Sequence, residues 1–148
     1  MKKQVKVTVI DGQGGSLGNL LIKNIKKKYP HLHILAIGTN GIATSNMLKA
    51  GADGIATGAN PVVVASRTSD IIIGPLGILT ADGLLGEINA EMAIAVGRSL
   101  AHKIIIPMNK CNVSIAGTEK IGMDRLIKDA LSILKDVLLD LDPDIEYQ

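Results

Sequence analysis

Short apolar segments alternate with amphipathic segments along most of the chain. Residues 5–10 start as an alternating apolar and polar pattern and end fully apolar, which predicts a strand whose end is buried. Other runs of the same kind indicate four further strands and suggest a sixth. The predicted strands cover residues 5–10, 34–37, 54–57, 70–74 and 103–107, with the sixth at 113–116.

Apolar residues at helical spacing fill most of the intervals. One helix ends near Tyr29 because the residue before a proline avoids helical geometry. Gly51 closes a second helix, and Asn60 before proline is typical of a helix start. The remaining helices are predicted at 82–100, with a break near Asn89, and at about 121–141, where a wide apolar stripe fits either a core or a subunit interface.

Strands that alternate with helices predict an α/β fold. We therefore expect one Rossmann-like domain over residues 1–148, with a doubly wound, mostly parallel sheet of five or six strands in three layers. The tetrapeptide Gly-Ile-Ala-Thr occurs at 41–44 and again at 54–57. Four residues are too few for a structural repeat, so we interpret this similarity as chance.

Composition narrows the possible functions. The 148 residues include only two aromatic ones, Tyr29 and Tyr147, whereas single-stranded nucleic acids are usually bound by stacking on aromatic rings. The net charge of +2 is too small to indicate a polyanionic partner. The apolar stretches are too short to span a membrane, and the first one does not form a signal peptide. A single cysteine excludes an internal disulfide. We therefore expect a cytoplasmic protein that binds neither nucleic acid nor membrane.

The clearest motif follows the first strand, where residues 11–18 read Asp-Gly-Gln-Gly-Gly-Ser-Leu-Gly. Gly12, Gly15 and Gly18 fit a G-x-x-G-x-x-G pattern, which resembles the loops of atypical and extended short-chain dehydrogenases and of dihydrodipicolinate reductases. Gly12 suits a tight turn, and the free N–H groups of the following helical turn suit a phosphate. A tight glycine turn without a ligand is the alternative.

A nucleotide site is expected where this loop meets the ends of the neighbouring strands. Strand two ends in Gly38, Thr39 and Asn40, so the acidic residue that usually binds a ribose is missing there. The expected cofactor is therefore NAD(P) or another nucleotide, and the partner is a phosphate-bearing small molecule. The predicted cofactor-binding residues are Gly12, Gln13, Gly14, Gly15, Ser16, Leu17, Gly18, Thr39, Asn40, Gly74 and Pro75.

Candidates for catalysis are few, and no catalytic residue is assigned. Lys110 and Cys111 follow the fifth strand, where a lysine can meet a phosphate and a thiol can act as a nucleophile. Glu87 and Glu91 are four residues apart after Asp82, and on a continuous helix they would share one face. The pattern favours a solvated helix face over a paired-carboxylate or metal role. The three histidines have no metal-ligand spacing, so no metal site is expected.

Five motifs together identify a family resemblance. They are Asp11-Gly-Gln-Gly-Gly, Gly38-Thr-Asn, Met47-Leu-Lys-Ala-Gly-Ala-Asp53, Gly74-Pro-Leu-Gly-Ile78 and Pro107-Met-Asn-Lys-Cys-Asn112. The chain resembles a bacterial family, mostly from Firmicutes, that is described as a domain of unknown function. This resemblance implies a cytoplasmic bacterial protein with a nucleotide-binding-like fold, and it carries over no catalytic residue.

Three functional hypotheses follow. The first is a small NAD(P)- or nucleotide-binding protein with a sensing or accessory role. The second is an oxidoreductase or transferase whose site is completed across a homodimer. The third is a ligand-free assembly module that uses its C-terminal helix.

Overall fold

The computed structural model describes residues 3–108 and 112–146, in which five strands form one parallel sheet. The strands are β1 Val7–Asp11, β2 Ile34–Gly38, β3 Gly54–Thr57, β4 Ile71–Pro75 and β5 His102–Ile106. Their order across the sheet is β3-β2-β1-β4-β5, and each neighbouring pair is parallel. The predicted Rossmann-like, doubly wound parallel sheet is therefore confirmed, with five strands.

Helices cover both faces of the sheet. They are α1 Ser16–Lys28, α2 Gly41–Lys49, α3 Ala59–Ser66, α4 Ala90–Arg98 and α5 Met123–Leu141. Buried residues of α1, α2 and α5 form one apolar cluster with the sheet. Buried residues of α3 and α4 form a second cluster on the opposite face. The helices and the sheet therefore form three layers.

The alternation along the central strands explains the two clusters. Val7 and Val9 of β1 pack with α1, α2 and α5, whereas Ile10 packs on the side of α3 and α4. In β4, Ile73 and Ile72 divide between the two faces in the same way. A strand that is buried on both faces must be apolar at successive positions, which is why these segments read as continuous apolar runs.

The apolar stripe of α5 belongs to the core of the chain. Its buried members are Ile127, Ala130, Leu131, Leu134 and Leu138, and all of them pack in the cluster that contains α1 and β5. Ile133 and Leu139, which lie beside the stripe, remain exposed. Of the two interpretations of this stripe, burial within the chain is the one that the structure supports.

The predicted helix at 82–100 is wrong in its first half. Asp82, Leu84 and Leu85 have φ angles of 61°, 54° and 56°, which a right-handed helix does not accommodate. Residues 81–87 form turns instead, and α4 begins only after Asn89, whose side chain accepts a hydrogen bond from the backbone N–H of Met92. Asn89 is therefore a helix start rather than a break.

Two further expectations need correction. Residues 113–116 form no strand; Val113 is exposed, so the segment lacks the buried face that would hold it on the sheet. Helix α3 starts at Ala59 after Gly58, so Asn60 lies inside the helix and does not cap it. Across residues 3–108 and 112–146, no helix combines the length and the apolarity that crossing a bilayer requires.

Candidate functional site

The candidate site is built around residues 12–18, called the glycine loop here, which join β1 to α1 at the carboxyl ends of the strands. β1 is paired with β2 on one side and β4 on the other, so the order of the strands reverses at this point. Open parallel sheets bind ligands at such a switch point. The topology therefore places the glycine loop where the sequence analysis expects a ligand.

The glycines of this loop serve different purposes. The left-handed residues are Gln13, with a φ of 52°, and Gly15, with a φ of 73°, so the tight turn predicted at Gly12 is centred one to three residues later. A Cβ added at Gly12 would lie 2.5 Å from Thr39 Oγ1 and 2.6 Å from Glu87 Oε2. Gly12 is therefore required by close packing. At Gly14, by contrast, an added Cβ would meet open space.

Asp11 fixes both ends of the glycine loop. Its carboxylate accepts one hydrogen bond from the backbone N–H of Gly12 at 2.8 Å and another from the backbone N–H of Gly18 at 2.7 Å. Its side chain is buried, and an added Cβ at Gly18 would lie 3.0 Å from Asp11 Cβ. This role of Asp11 was not predicted, although an aspartate at the end of a strand before glycines is a usable signal.

Two asparagines hold the carbonyl groups of the loop. Asn40 Nδ2 donates to the carbonyl of Gln13 at 2.9 Å, and Asn46 Nδ2 donates to the carbonyl of Gly14. Because a trans peptide directs its C=O and N–H oppositely, the N–H of Gly14 points away from Asn40. The asparagines therefore orient the peptide groups of the loop.

Three N–H groups of the loop are left for a ligand. Within the part of the chain that the structure describes, no protein group accepts a hydrogen bond from the backbone N–H of Gly14, Ser16 or Leu17. Ser16 and Leu17 form the first turn of α1, where unbonded N–H groups and the helix dipole attract anions. These groups can hold a phosphate oxygen.

A small pocket opens beside these groups. Its volume is about 60 Å³, and its floor consists of residues 11–17. Its other walls are Pro75, Gly77, Leu84 and Met108. Pockets that hold a whole drug-sized ligand usually measure roughly 300–1,000 Å³, so this one has room for a phosphoryl group. The rest of a nucleotide would have to lie over the surrounding surface.

Glu87 reaches this site from the turns that follow β4. Its Oε2 accepts a hydrogen bond from the backbone N–H of Gln13 at 2.6 Å, and its Oε1 accepts one from Asn40 Nδ2 at 2.7 Å. Glu91 lies in the first turn of α4 and is exposed. The predicted Glu87–Glu91 face is therefore absent because no continuous helix joins the two residues.

The structure brings most of the predicted cofactor-binding residues together. Residues 12–17 and Pro75 line the pocket. Gly74 lies in β4, where an added Cβ would collide with the carbonyl of Ile10. Asn40 caps α2 by accepting from the backbone N–H of Ala43, so both its oxygen and its N–H groups are engaged. Gly77 and Met108 also line the pocket and lie in two of the motifs that carry the family resemblance, although they were not predicted to bind a cofactor. Leu84 was missed, because no local motif contains it.

The remaining candidates for catalysis are Lys110, Cys111 and Asp82. Lys110 and Cys111 lie outside the described residues, and Asp82 is exposed in a turn. Among residues 3–108 and 112–146, no group of three or more histidine, cysteine, aspartate or glutamate residues is placed to hold a metal ion.

Two carboxyl groups with shifted pKa values, Asp53 and Asp70, lie at the opposite end of the strands, just ahead of β3 and β4. Burial alone would raise the pKa of Asp70. Hydrogen bonds from the backbone N–H of Lys6 and from the Lys3 ammonium lower this pKa by more, so the net shift is downward. Burial also raises the pKa of Asp53, but hydrogen bonds from the Lys26 ammonium and the backbone N–H of Ile34 outweigh burial and lower this pKa. Both groups stabilise strand starts.

Comparisons with known proteins complete this description. The sequence model of a protein family described as "Domain of unknown function (DUF3842)" matches residues 6–139. No curated protein matches the chain. Among solved structures, the fold is similar to that of a dodecameric FMN-dependent Ubix-like decarboxylase from Escherichia coli O157:H7, with a TM-score of 0.51 and 14% sequence identity over 97% of each chain. At this identity, the similarity concerns the fold.

Proposed function

The chain belongs to the DUF3842 family, and from that premise we propose that it binds the phosphate group of a nucleotide-type small molecule at its glycine loop, as a sensing or accessory protein. The observation that carries this proposal is the set of unbonded N–H groups at Gly14, Ser16 and Leu17 beside an open pocket. Such groups at a helix start form an anion site.

Side chains of the protein fix the geometry of the loop. Asp11 bonds two of its N–H groups, and Asn40 and Asn46 bond two of its carbonyls. A phosphate would therefore meet groups that are already oriented, and little conformational entropy would be lost on binding. This pre-organisation supports binding over a glycine turn that serves only the fold.

Two nucleotide classes fit the surroundings of the pocket. NAD(P) follows from the G-x-x-G-x-x-G spacing. FMN is suggested by the FMN-dependent decarboxylase of similar fold, and its ring would lie outside the small pocket that holds the phosphate. Both ligands present a phosphate to the loop, so the proposal is tested with both.

The test is a thermal-shift screen against NADH, NADPH, ATP, GMP, FMN and inorganic phosphate, followed by calorimetry. A ligand that binds only the folded state raises its stability by about 2.7 kcal/mol at one hundred times its dissociation constant. Gly14→Leu should abolish the shift because a side chain there would project into the open space beside the loop.

Gly97→Leu is the matched control. An added Cβ at Gly97 also meets open space, but on α4 and away from the loop, so this variant should bind as the natural chain does. If none of the six compounds raises the melting temperature of the natural chain, the proposal is wrong and the glycine loop is a tight turn without a ligand.

A second candidate is an enzyme whose site is completed by another subunit. Leu85 is 89% exposed and Ile42 is 69% exposed, and each lies two residues from the Asn40–Glu87 hydrogen bond. Two exposed apolar side chains beside a ligand site suit a contact with another molecule. The decarboxylase of similar fold is dodecameric.

Light scattering tests this second candidate. If subunits meet at this edge, Leu85→Ser should lower the measured mass, whereas Leu100→Ser, at an exposed residue of the α4–β5 connection, should leave it unchanged. A single-chain mass for the unaltered protein would reject the shared site. Lys110→Ala and Cys111→Ala then test whether turnover depends on the two candidate catalytic residues.

A further inference from the structure

The end of β2 lacks the acidic side chain that dinucleotide-binding sheets place there. In such proteins an aspartate or glutamate after the second strand accepts hydrogen bonds from the ribose hydroxyls. Here β2 is followed by Thr39 and Asn40, which leaves the ribose without a carboxylate from that strand.

The structure supplies a carboxylate at the same place from a distant part of the chain. Glu87 follows β4, yet its Oε1 lies 2.7 Å from Asn40 Nδ2 at the start of α2. Its Oε2 lies 2.6 Å from the backbone nitrogen of Gln13. The Glu87 carboxylate is thus held between the end of β2 and the glycine loop. A carboxylate has about four acceptor positions, so two hydrogen bonds leave it able to accept more.

A hydroxyl group lies at the same point. Thr39 Oγ1 is buried, and in the described part of the chain it has no hydrogen-bond partner. It and Glu87 Oε2 both approach the Cα of Gly12, as the short distances to an added Cβ show. An unpaired buried hydroxyl is rare because it costs free energy, and a nearby ligand group would satisfy it.

The turns before α4 hold Glu87 in position. Asp82, Leu84 and Leu85 adopt left-handed backbone conformations, and hydrogen bonds from the Asp82 N–H to the Ile88 carbonyl and from the Ile88 N–H to the Gly83 carbonyl close the segment. Leu84 is buried and forms a wall of the pocket. Glu87 is therefore presented by a fixed element.

We propose that Glu87 is a specificity-determining residue that accepts hydrogen bonds from the ribose hydroxyls of the bound nucleotide. It would select a nucleotide with a free 2′-hydroxyl and disfavour one with a 2′-phosphate, because a phosphate dianion beside a carboxylate is repelled. This inference rests on the proposed phosphate site, and it names NADH rather than NADPH as the preferred class of ligand.

Calorimetric titrations of NADH and NADPH test the inference. The natural chain should bind NADH at least about tenfold more tightly than NADPH. Glu87→Gln removes the charge and keeps an oxygen for the Gln13 N–H, so it should bring the two affinities within about twofold of each other. Glu91→Gln makes the same change at an exposed glutamate of α4 and should retain the preference.

A purely structural role predicts a different result. If Glu87 only holds the glycine loop, Glu87→Gln should lower the affinities for NADH and NADPH by the same factor. That result would show that the inference is wrong. If Glu87→Gln does not fold, Glu87→Asp keeps the charge and should keep the preference for NADH; equal affinities in that variant would also reject the idea.

The outcome separates the two proposals. Binding of FMN without binding of NADH or NADPH retains the phosphate site and overturns the role of Glu87. Binding of NADH and NADPH with equal affinity by the natural chain does the same. If inorganic phosphate and all the nucleotides leave the natural chain unaffected, both proposals are overturned.

Discussion

The carboxylate of Asp11 lies 2.7 Å from the backbone nitrogen of Gly18, so a side chain at the end of β1 fixes the first turn of α1. Its other oxygen accepts from Gly12. Asp11→Asn would put an amide N–H against one of these backbone donors. Hydrogen bonds to charged groups contribute about 1.5–3 kcal/mol each, and we expect a loss of that size in urea unfolding at neutral pH.

Asp129→Asn is the control for this change. Asp129 pairs with Arg125 on the surface of α5, where ion pairs contribute little. Equal stability of the Asp11 and Asp129 variants would show that the buried carboxylate does not hold the loop.

Substitution by alanine should reduce stability strongly at one of two neighbouring glycines and hardly at the other. Gly15 has a φ of 73°, and an added Cβ would lie 2.6 Å from Ala43 Cα. The left-handed conformation and the overpacking together predict a loss of about 2–4 kcal/mol for Gly15→Ala. Gly14→Ala meets open space and should change stability by less than about 0.5 kcal/mol.

Thermal melts of the two variants, side by side, measure this contrast. The same contrast shows which glycine should be substituted to test ligand binding at the glycine loop. A binding defect in a Gly15 variant would be confounded by weakened packing of α1 on α2, whereas a defect in a Gly14 variant would report on the ligand.

The free energy of unfolding should fall in acid, partly because Asp70 becomes protonated. Its pKa in the folded protein is lowered, mainly because the hydrogen bonds from the Lys6 N–H and the Lys3 ammonium outweigh burial. A lowered folded pKa stabilises the fold above the pKa of the unfolded chain, and this contribution is lost as the pH falls through the folded pKa. The loss should therefore begin below about pH 4.

Asp70→Asn should reduce stability at neutral pH and flatten this acid-dependent loss. Urea midpoints measured from pH 7 to about pH 2.5, which crosses the aspartate range, would show both effects. Asp136→Asn, at an exposed position of α5, should keep the acid dependence of the natural chain. An unchanged slope in the Asp70 variant would contradict the assignment.

Two adjacent residues of α5 should contribute very different amounts to the stability of the fold. Leu134 is 0% exposed and Ile133 is 44% exposed. Leu134→Ala should therefore cost about 2–5 kcal/mol, while Ile133→Ala should cost less than about 1 kcal/mol. Unfolding in guanidinium measures both. A large loss at Ile133 would indicate that another surface covers it.

The sequence predicted the sheet well because its central strands are buried on both faces. Continuous apolar runs such as 70–74 leave few alternatives to a parallel strand between helices. Local sequence alone was insufficient elsewhere. Gly-Ile-Ala-Thr at 41–44 starts α2, yet the same four residues at 54–57 form β3. Asn40, which caps α2, makes the difference at the first position.

The candidate site was predictable only where its residues are consecutive. Gly12 to Gly18 form a local motif, so their position beside the pocket could be expected. Glu87 accepts a hydrogen bond from Gln13, 74 positions away in the sequence. The turns that position Glu87 have left-handed conformations at Leu84 and Leu85, where a glycine would have indicated such a conformation but leucine does not. Leucines in a helical pattern predicted a helix there.

The central position of β1 has a consequence for biosynthesis. Val7 pairs with Ile34 on one side and with Ile71 on the other, so β1 is flanked by strands that are synthesised after it. Synthesis adds about 5–20 residues per second, and an apolar edge of the nascent chain stays unprotected until β4 emerges. Chaperone contact should therefore be concentrated in the interval between the synthesis of β1 and the emergence of β4.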